Sequence, residues 1–136
     1  MTTLHDGIRA WAKGIYPTEA AVELLIRTGL ATDDADFYGD TNSAFIEVRA
    51  DKIIDRARSY SHSQEQILRL VASLLGEQNV NLKDAFRGLD RTNLQLALAA
   101  ISHAAGAHEM TGWTVNDGDN GTVSNPDGPV VAWPER

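Results

Sequence analysis

Cysteine is absent from this chain of 136 residues. Without a thiol the protein cannot form a disulfide, use a cysteine nucleophile or bind a metal through thiolates. The sequence also lacks any apolar stretch near the roughly 18 residues of a membrane-spanning helix. Its first six residues have neither the basic nor the apolar region of a signal peptide. We therefore expect a cytoplasmic protein with no membrane partner.

Basic residues are scarce, since 12 Lys and Arg stand against 19 Asp and Glu, for a net charge of −7. Binding to nucleic acid requires clustered cations that neutralise phosphates, so this balance makes a nucleic-acid partner unfavourable. An acidic surface is better matched to a basic protein partner. The composition thus favours contact with another protein, and the oligomeric state stays open.

Known catalytic and metal-binding motifs are also missing. The sequence has no nucleophile elbow, phosphate loop or dinucleotide fingerprint, so we predict no catalytic residue and no cofactor, although scattered residues can still assemble an active site. The nearest metal set is His103, His108 and Glu109, but its histidines straddle Gly106 at a spacing unlike paired zinc ligands. We predict no metal-binding residue, and interpret His103 as a histidine at a helix end.

Helical spacing of apolar residues dominates the rest of the chain. Segment 63–106 predicts three helices with caps at Ser63, Asn81 and Asp90. The third of these helices, from Arg91 to Ala105, is apolar around most of its circumference. We therefore expect it to be the buried centre of the fold, with Leu98 and Ile101 in the core.

Three further helices are predicted at 4–15, 18–28 and 50–60, with a short β-prone run at 44–48. The sequence thus predicts a mainly α fold: a single compact bundle of about six helices with a short β element. Residues 1–110 form the helical domain. Residues 111–136 are a turn-rich, irregular C-terminal segment, which we expect to be partly packed on the helices because it carries Trp113 and Trp133.

One candidate partner-binding surface is an acidic loop with two aromatic residues, namely Asp33, Asp34, Asp36, Phe37, Tyr38 and Asp40. Carboxylates would attract a basic partner and the aromatic side chains would anchor it. Alternatively, Phe37 and Tyr38 attach the loop to the core. A second interpretation is a helix-turn-helix in which residues at the start of the second helix contact bases, namely Arg91, Thr92, Asn93 and Gln95. The net charge and the apolar second helix oppose that interpretation.

Segments 4–12, 80–94 and 102–106 resemble small uncharacterised proteins of actinobacteria and their phages. The resemblance covers about half of the chain and implies a prophage or accessory-gene setting without an assigned activity. We expect a small accessory protein that acts through protein–protein contact. A helix-turn-helix DNA-binding regulator and an unrecognised enzyme are the alternatives.

Overall fold

The computed structural model describes residues 3–107, 114–116, 122–124 and 130–134. These residues form six α-helices and one 3-10 turn: α1 (Leu4–Ala12), α2 (Tyr16–Arg27), α3 (Ala50–Arg56), the 3-10 turn (Ala57–Ser59), α4 (His62–Leu74), α5 (Leu82–Phe86) and α6 (Arg91–Ala104). Two strands, β1 (Thr114–Asn116) and β2 (Thr122–Ser124), pair antiparallel with Val115 opposite Val123. The predicted mainly helical fold class is confirmed.

Side-chain caps start several of the helices where the sequence predicts them. Asn81 accepts a hydrogen bond from the Asp84 amide, and Asp90 accepts one from the Asn93 amide. Helices α2 and α4 each begin two residues earlier than predicted, α2 at Tyr16 without a side-chain cap and α4 at His62. The capping box of α4 is formed by Ser61 with Gln64, because both reciprocal bonds of the motif are present there.

The central helix is α2, which packs against α1, α4 and α6. Its buried side chains cover more than half of its circumference: Ala20, Ala21, Val22, Leu24 and Leu25. Helix α6 packs on α2 and α4 through Leu96, Ala97, Ala99 and Ala100. The expectation that α6 is the buried core helix, with Leu98 and Ile101 in the core, is wrong, since Leu98 is 44% exposed and Ile101 is 45% exposed. Helix α6 lies at the surface of the bundle with one apolar face open.

The segment between α2 and α3, residues 28–49, contributes to the core although it contains no helix. Phe37 and Ile46 are fully buried. The Ile46 amide donates to the Gly7 carbonyl at 3.0 Å, and the Ile46 side chain occupies the space that a Cβ at position 7 would need. The predicted β run at 44–48 is not a strand, and only Val48 forms an isolated antiparallel bridge, with Tyr38.

Residues 130–134 return to the helices near the end of α6. The Val130 amide donates to the Ala107 carbonyl at 3.2 Å, and the Val131 amide donates to Ser102 Oγ at 3.1 Å. Trp133 packs against the core, whereas Trp113 lies outside the described residues. These contacts place Trp133 beside α2 and α6, where it forms part of a cavity wall.

Candidate functional site

An exposed apolar face on α5 and α6 is the first candidate site. Leu94, Leu98 and Ile101 are 37%, 44% and 45% exposed, and their spacing puts them on one side of α6. Leu82 of α5 is 65% exposed. Single exposed apolar residues are ordinary, but contiguous apolar patches mark interaction surfaces. We refer to Leu82, Leu94, Leu98 and Ile101 as the α5–α6 face.

A groove of about 160 Å³ lies beside this face, between α2, α4, α5 and α6. Its walls are formed by Leu24, Leu70, Ser73, Leu74, Val80, Leu82, Phe86, Ala97, Ala100 and Ile101. Ser73 is the only one of these residues with a polar side chain. An apolar cavity of about 150 Å³ is large enough to hold a benzene ring. The groove therefore has room for one large apolar side chain from another molecule.

The charges near the α5–α6 face differ from the balance of the whole chain. Lys83, Arg87 and Arg91 are exposed next to it in sequence, together with Asp84 and Asp90. The Asp90 carboxylate accepts the Asn93 amide hydrogen at 2.7 Å as the α6 cap. Three cations against two carboxylates give residues 82–101 a net charge of +1, in a chain whose net charge is −7.

A second candidate is a cavity of about 320 Å³ between α1, α2, α6 and the segment 130–134. Its walls combine apolar and charged side chains: Arg9, Ala12, Lys13, Glu19, Val22, Glu23, Arg27, His103 and Trp133. This volume is at the lower end of the range of small-molecule pockets.

His103 joins three parts of the chain at the edge of this cavity. Trp133 Nε1 donates to His103 Nδ1 at 3.1 Å, and His103 Nε2 lies 2.8 Å from Glu19 Oε1. An indole N–H can only donate, so Nδ1 must accept and Nε2 must carry the proton that bonds to Glu19. Both ring nitrogens of His103 are thus engaged, which suits a structural connection rather than a general base.

Glu23 sits between two arginines on another wall of the cavity. Arg9 Nε donates to Glu23 Oε2 at 2.7 Å and Arg27 Nε donates to Glu23 Oε1 at 3.1 Å. Burial alone would raise the pKa of Glu23, but the bonds from Arg9 and Arg27 outweigh it and lower the pKa below its ordinary value. The Arg27 guanidinium also lies 4.8 Å from the centre of the Trp133 ring. The cavity wall is therefore a connected set of charged and aromatic groups.

The acidic loop does not bring its six predicted residues to one surface. Phe37 is fully buried, and its ring centre lies 5.8 Å from that of Tyr38 and 6.2 Å from that of Tyr60. Tyr38 is also buried, and burial raises the pKa of its hydroxyl. Neither aromatic ring can therefore serve as an exposed anchor in this conformation.

The carboxylates of the same loop are exposed, namely Asp33, Asp34, Asp36 and Asp40. Asp36 pairs with Arg56, whose Nη2 and Nε donate to its Oδ2 at 2.7 and 3.0 Å. The Arg56 guanidinium lowers the pKa of the Asp36 carboxyl. A role of these carboxylates in binding a basic partner stays a prediction.

The residues considered above for metal binding and for base contact do not form a site among the described residues. Of the histidine and glutamate set, only His103 is described, since His108 and Glu109 lie outside the described residues. Of the residues proposed to contact bases, Arg91 and Gln95 are exposed, while the Asn93 side chain donates to Ser63 Oγ at 2.9 Å. Within the described ranges, no three His, Asp or Glu side chains are grouped closely enough to hold a metal ion.

Sequence reasoning missed both candidate sites for different reasons. The sequence predicts Leu98 and Ile101 in the core, because an apolar helix surface does not reveal which side its neighbours cover. The Glu19–His103 and His103–Trp133 contacts join residues 84 and 30 positions apart, which no local pattern links. The only available signal was the combination of a helix-end histidine with a tryptophan in a turn-rich segment.

No family model, curated protein or solved structure matches the chain. The resemblance to small proteins of actinobacteria and their phages therefore stays a prediction. None of the helices in the described residues is long and apolar enough to cross a membrane.

Proposed function

We propose that the protein is a small accessory protein that binds another protein through its α5–α6 face. The observation that carries this proposal is the exposure of Leu82 on α5 and of Leu94, Leu98 and Ile101 on α6, with Leu82 and Ile101 lining the same groove. Burying these side chains against a partner would remove apolar surface from water, which is the main favourable contribution to protein association. The adjacent groove offers a place for one anchoring side chain of the kind that dominates binding energy.

The occupant that fits this surface best is an amphipathic helix with acidic residues beside its apolar face. Such a helix would place a leucine or an aromatic residue in the groove, as in other helix-in-groove complexes. Its carboxylates would meet Lys83, Arg87 and Arg91, while its remaining apolar residues would cover Leu98 and Ile101. Lys83, Arg87 and Arg91 would orient the acidic partner helix. Salt screens its repulsion by the more distant carboxylates of this acidic chain.

This surface favours a protein partner over duplex DNA. The side chains exposed along α6 after Arg91 include Leu94, Leu98 and Ile101, and apolar leucines gain little against phosphates or polar base edges. A protein helix supplies the matching apolar side chains.

The test is a titration of the full chain with a synthetic amphipathic helix of about 18 residues that presents leucine and phenylalanine on one face and glutamate beside it. We expect Leu98→Gln and Ile101→Gln each to weaken binding about tenfold or more, in the range of interface hot spots. Phe45→Gln is the matched control, because Phe45 is a large apolar side chain that is 65% exposed and lies outside the α5–α6 face, in the segment between α2 and α3. Fluorescence anisotropy of the labelled peptide gives the dissociation constants.

Charge is tested with a second peptide in which lysine replaces each glutamate. We expect weaker binding of the lysine peptide, and binding of the glutamate peptide that weakens as salt rises. Equal binding of both peptides, or equal loss with Phe45→Gln and Leu98→Gln, would contradict the proposal. Sedimentation of the chain as a dimer that Leu98→Gln dissociates would assign the face to a second copy instead.

A further inference from the structure

The cavity between α1, α2, α6 and the segment 130–134 is separate from the α5–α6 face and contains a different kind of chemistry. Ala12, Val22 and the Trp133 ring provide apolar walls. Arg9, Lys13 and Arg27 provide positive charge, and Glu19 and Glu23 provide negative charge. Among the described residues of the wall, three cations and two carboxylates leave one excess positive charge, while His103 Nδ1 accepts the Trp133 Nε1 hydrogen.

Both carboxylates of the cavity are already bonded within the protein. Glu23 accepts hydrogen bonds from Arg9 and Arg27, and Glu19 accepts one from the Gly14 amide at 2.8 Å in addition to its contact with His103. A cationic ligand would have to compete with these donors. The carboxylates therefore disfavour a cation as the ligand of this cavity.

The excess positive charge is best placed on Lys13. Its side chain lines the cavity, and within the described part of the chain it forms no ion pair. Arg9, by contrast, uses Nε and Nη2 on Glu23, at 2.7 and 3.2 Å. A lysine ammonium beside apolar walls can bind one carboxylate while the rest of the ligand contacts aliphatic and aromatic carbon.

We infer that this cavity binds a small apolar monocarboxylate, with its carboxylate on Lys13 and its hydrocarbon or aromatic body against Val22 and Trp133. A single negative charge matches the single excess positive charge of the described wall residues. Inorganic phosphate would bring a second charge and no apolar body, and would leave the walls around Ala12 and Trp133 without a partner. The volume of about 320 Å³ limits the ligand to a small molecule.

Benzoate is the probe for a test by nuclear magnetic resonance on the full ¹⁵N-labelled chain. We expect saturable shifts of the Trp133 indole N–H signal, which Trp133→Phe assigns, and of the amide signals of residues 12 and 13. Benzyl alcohol has the same ring without the charge, and inorganic phosphate has charge without the ring. We expect benzyl alcohol to bind about threefold to fivefold more weakly than benzoate, the size of a partly exposed ion pair, and inorganic phosphate to bind about tenfold more weakly or not measurably, because it lacks the ring.

Lys13→Gln tests the residue that carries the charge. We expect it to weaken benzoate binding about threefold to fivefold, as for a partly exposed ion pair, at an unchanged melting temperature. Lys52→Gln removes the same charge from α3, outside the cavity, and should leave the benzoate affinity unchanged. Benzoate shifts equal to those of benzyl alcohol or phosphate, equal effects of the two lysine variants, or no saturation by benzoate would each overturn the inference.

Discussion

The segment 28–49 and helix α6 differ in where they place their large apolar side chains. The segment has no helix, yet its Phe37 and Ile46 are fully buried. Helix α6 is regular over Arg91–Ala104, yet it leaves Leu98 and Ile101 nearly half exposed. Regular structure therefore does not decide burial in this molecule. What decides it is which side of each element its neighbours cover. Ile46 lies against Gly7 of α1 and Phe37 lies beside Tyr60, whereas α2 and α4 cover one side of α6 and leave the other open.

The largest effect that this comparison predicts is on Phe37. We expect Phe37→Ala to reduce the free energy of unfolding by about 3–5 kcal/mol, the range for deleting a buried aromatic side chain. Phe45→Ala in the same segment is the control, because Phe45 is 65% exposed and its loss should cost less than about 0.5 kcal/mol. Urea denaturation measures both values. A cost below about 1 kcal/mol for Phe37→Ala would mean that the segment packs loosely on the helices.

A smaller effect is expected on the exposed face of α6. Leu98→Ala and Ile101→Ala should each reduce the free energy of unfolding by less than about 1 kcal/mol, because both side chains are nearly half exposed before the change. Leu25→Ala in α2 is the matched comparison, and should cost about 2–5 kcal/mol since Leu25 is fully buried. The same urea series compares the three variants. If both α6 variants lost more than about 2 kcal/mol of unfolding free energy, Leu98 and Ile101 would have to be core residues, as the sequence predicts.

The positions of the helices could largely be predicted from the sequence because their signals are local. Asn81 and Asp90 begin α5 and α6 by accepting amide hydrogens three residues ahead, which any chain segment can do without its neighbours. The error at α4 is a choice between two neighbouring serines. Ser61 and Ser63 both precede suitable partners, and Ser63 instead accepts a hydrogen bond from Asn93 of α6.

The burial of each face could not be predicted in the same way, because it depends on elements distant in sequence. Periodicity identifies the apolar side chains of α6, but only the packing of α2 and α4 shows that Leu96 and Ala100 face inward while Leu98 faces outward. The cavity beside His103 depends on the return of Trp133 to α2 and α6. No sequence spacing predicts that Trp133 packs beside α2 and α6.

The smallest expected effect concerns a polar atom in the segment 28–49. Within the described residues, the Tyr38 hydroxyl is buried without a hydrogen-bond partner. An unpaired buried hydroxyl opposes folding, so Tyr38→Phe should leave the free energy of unfolding unchanged or raise it by up to about 1 kcal/mol. Tyr60→Phe is the control, since Tyr60 is only partly buried, and its effect should stay within about 0.5 kcal/mol. Thermal and urea melts of both variants provide the comparison. If Tyr38→Phe lowered the free energy of unfolding by more than about 1 kcal/mol, the hydroxyl would have a partner, such as a buried water. In that case polar contacts, as well as ring packing, would attach segment 28–49 to the core.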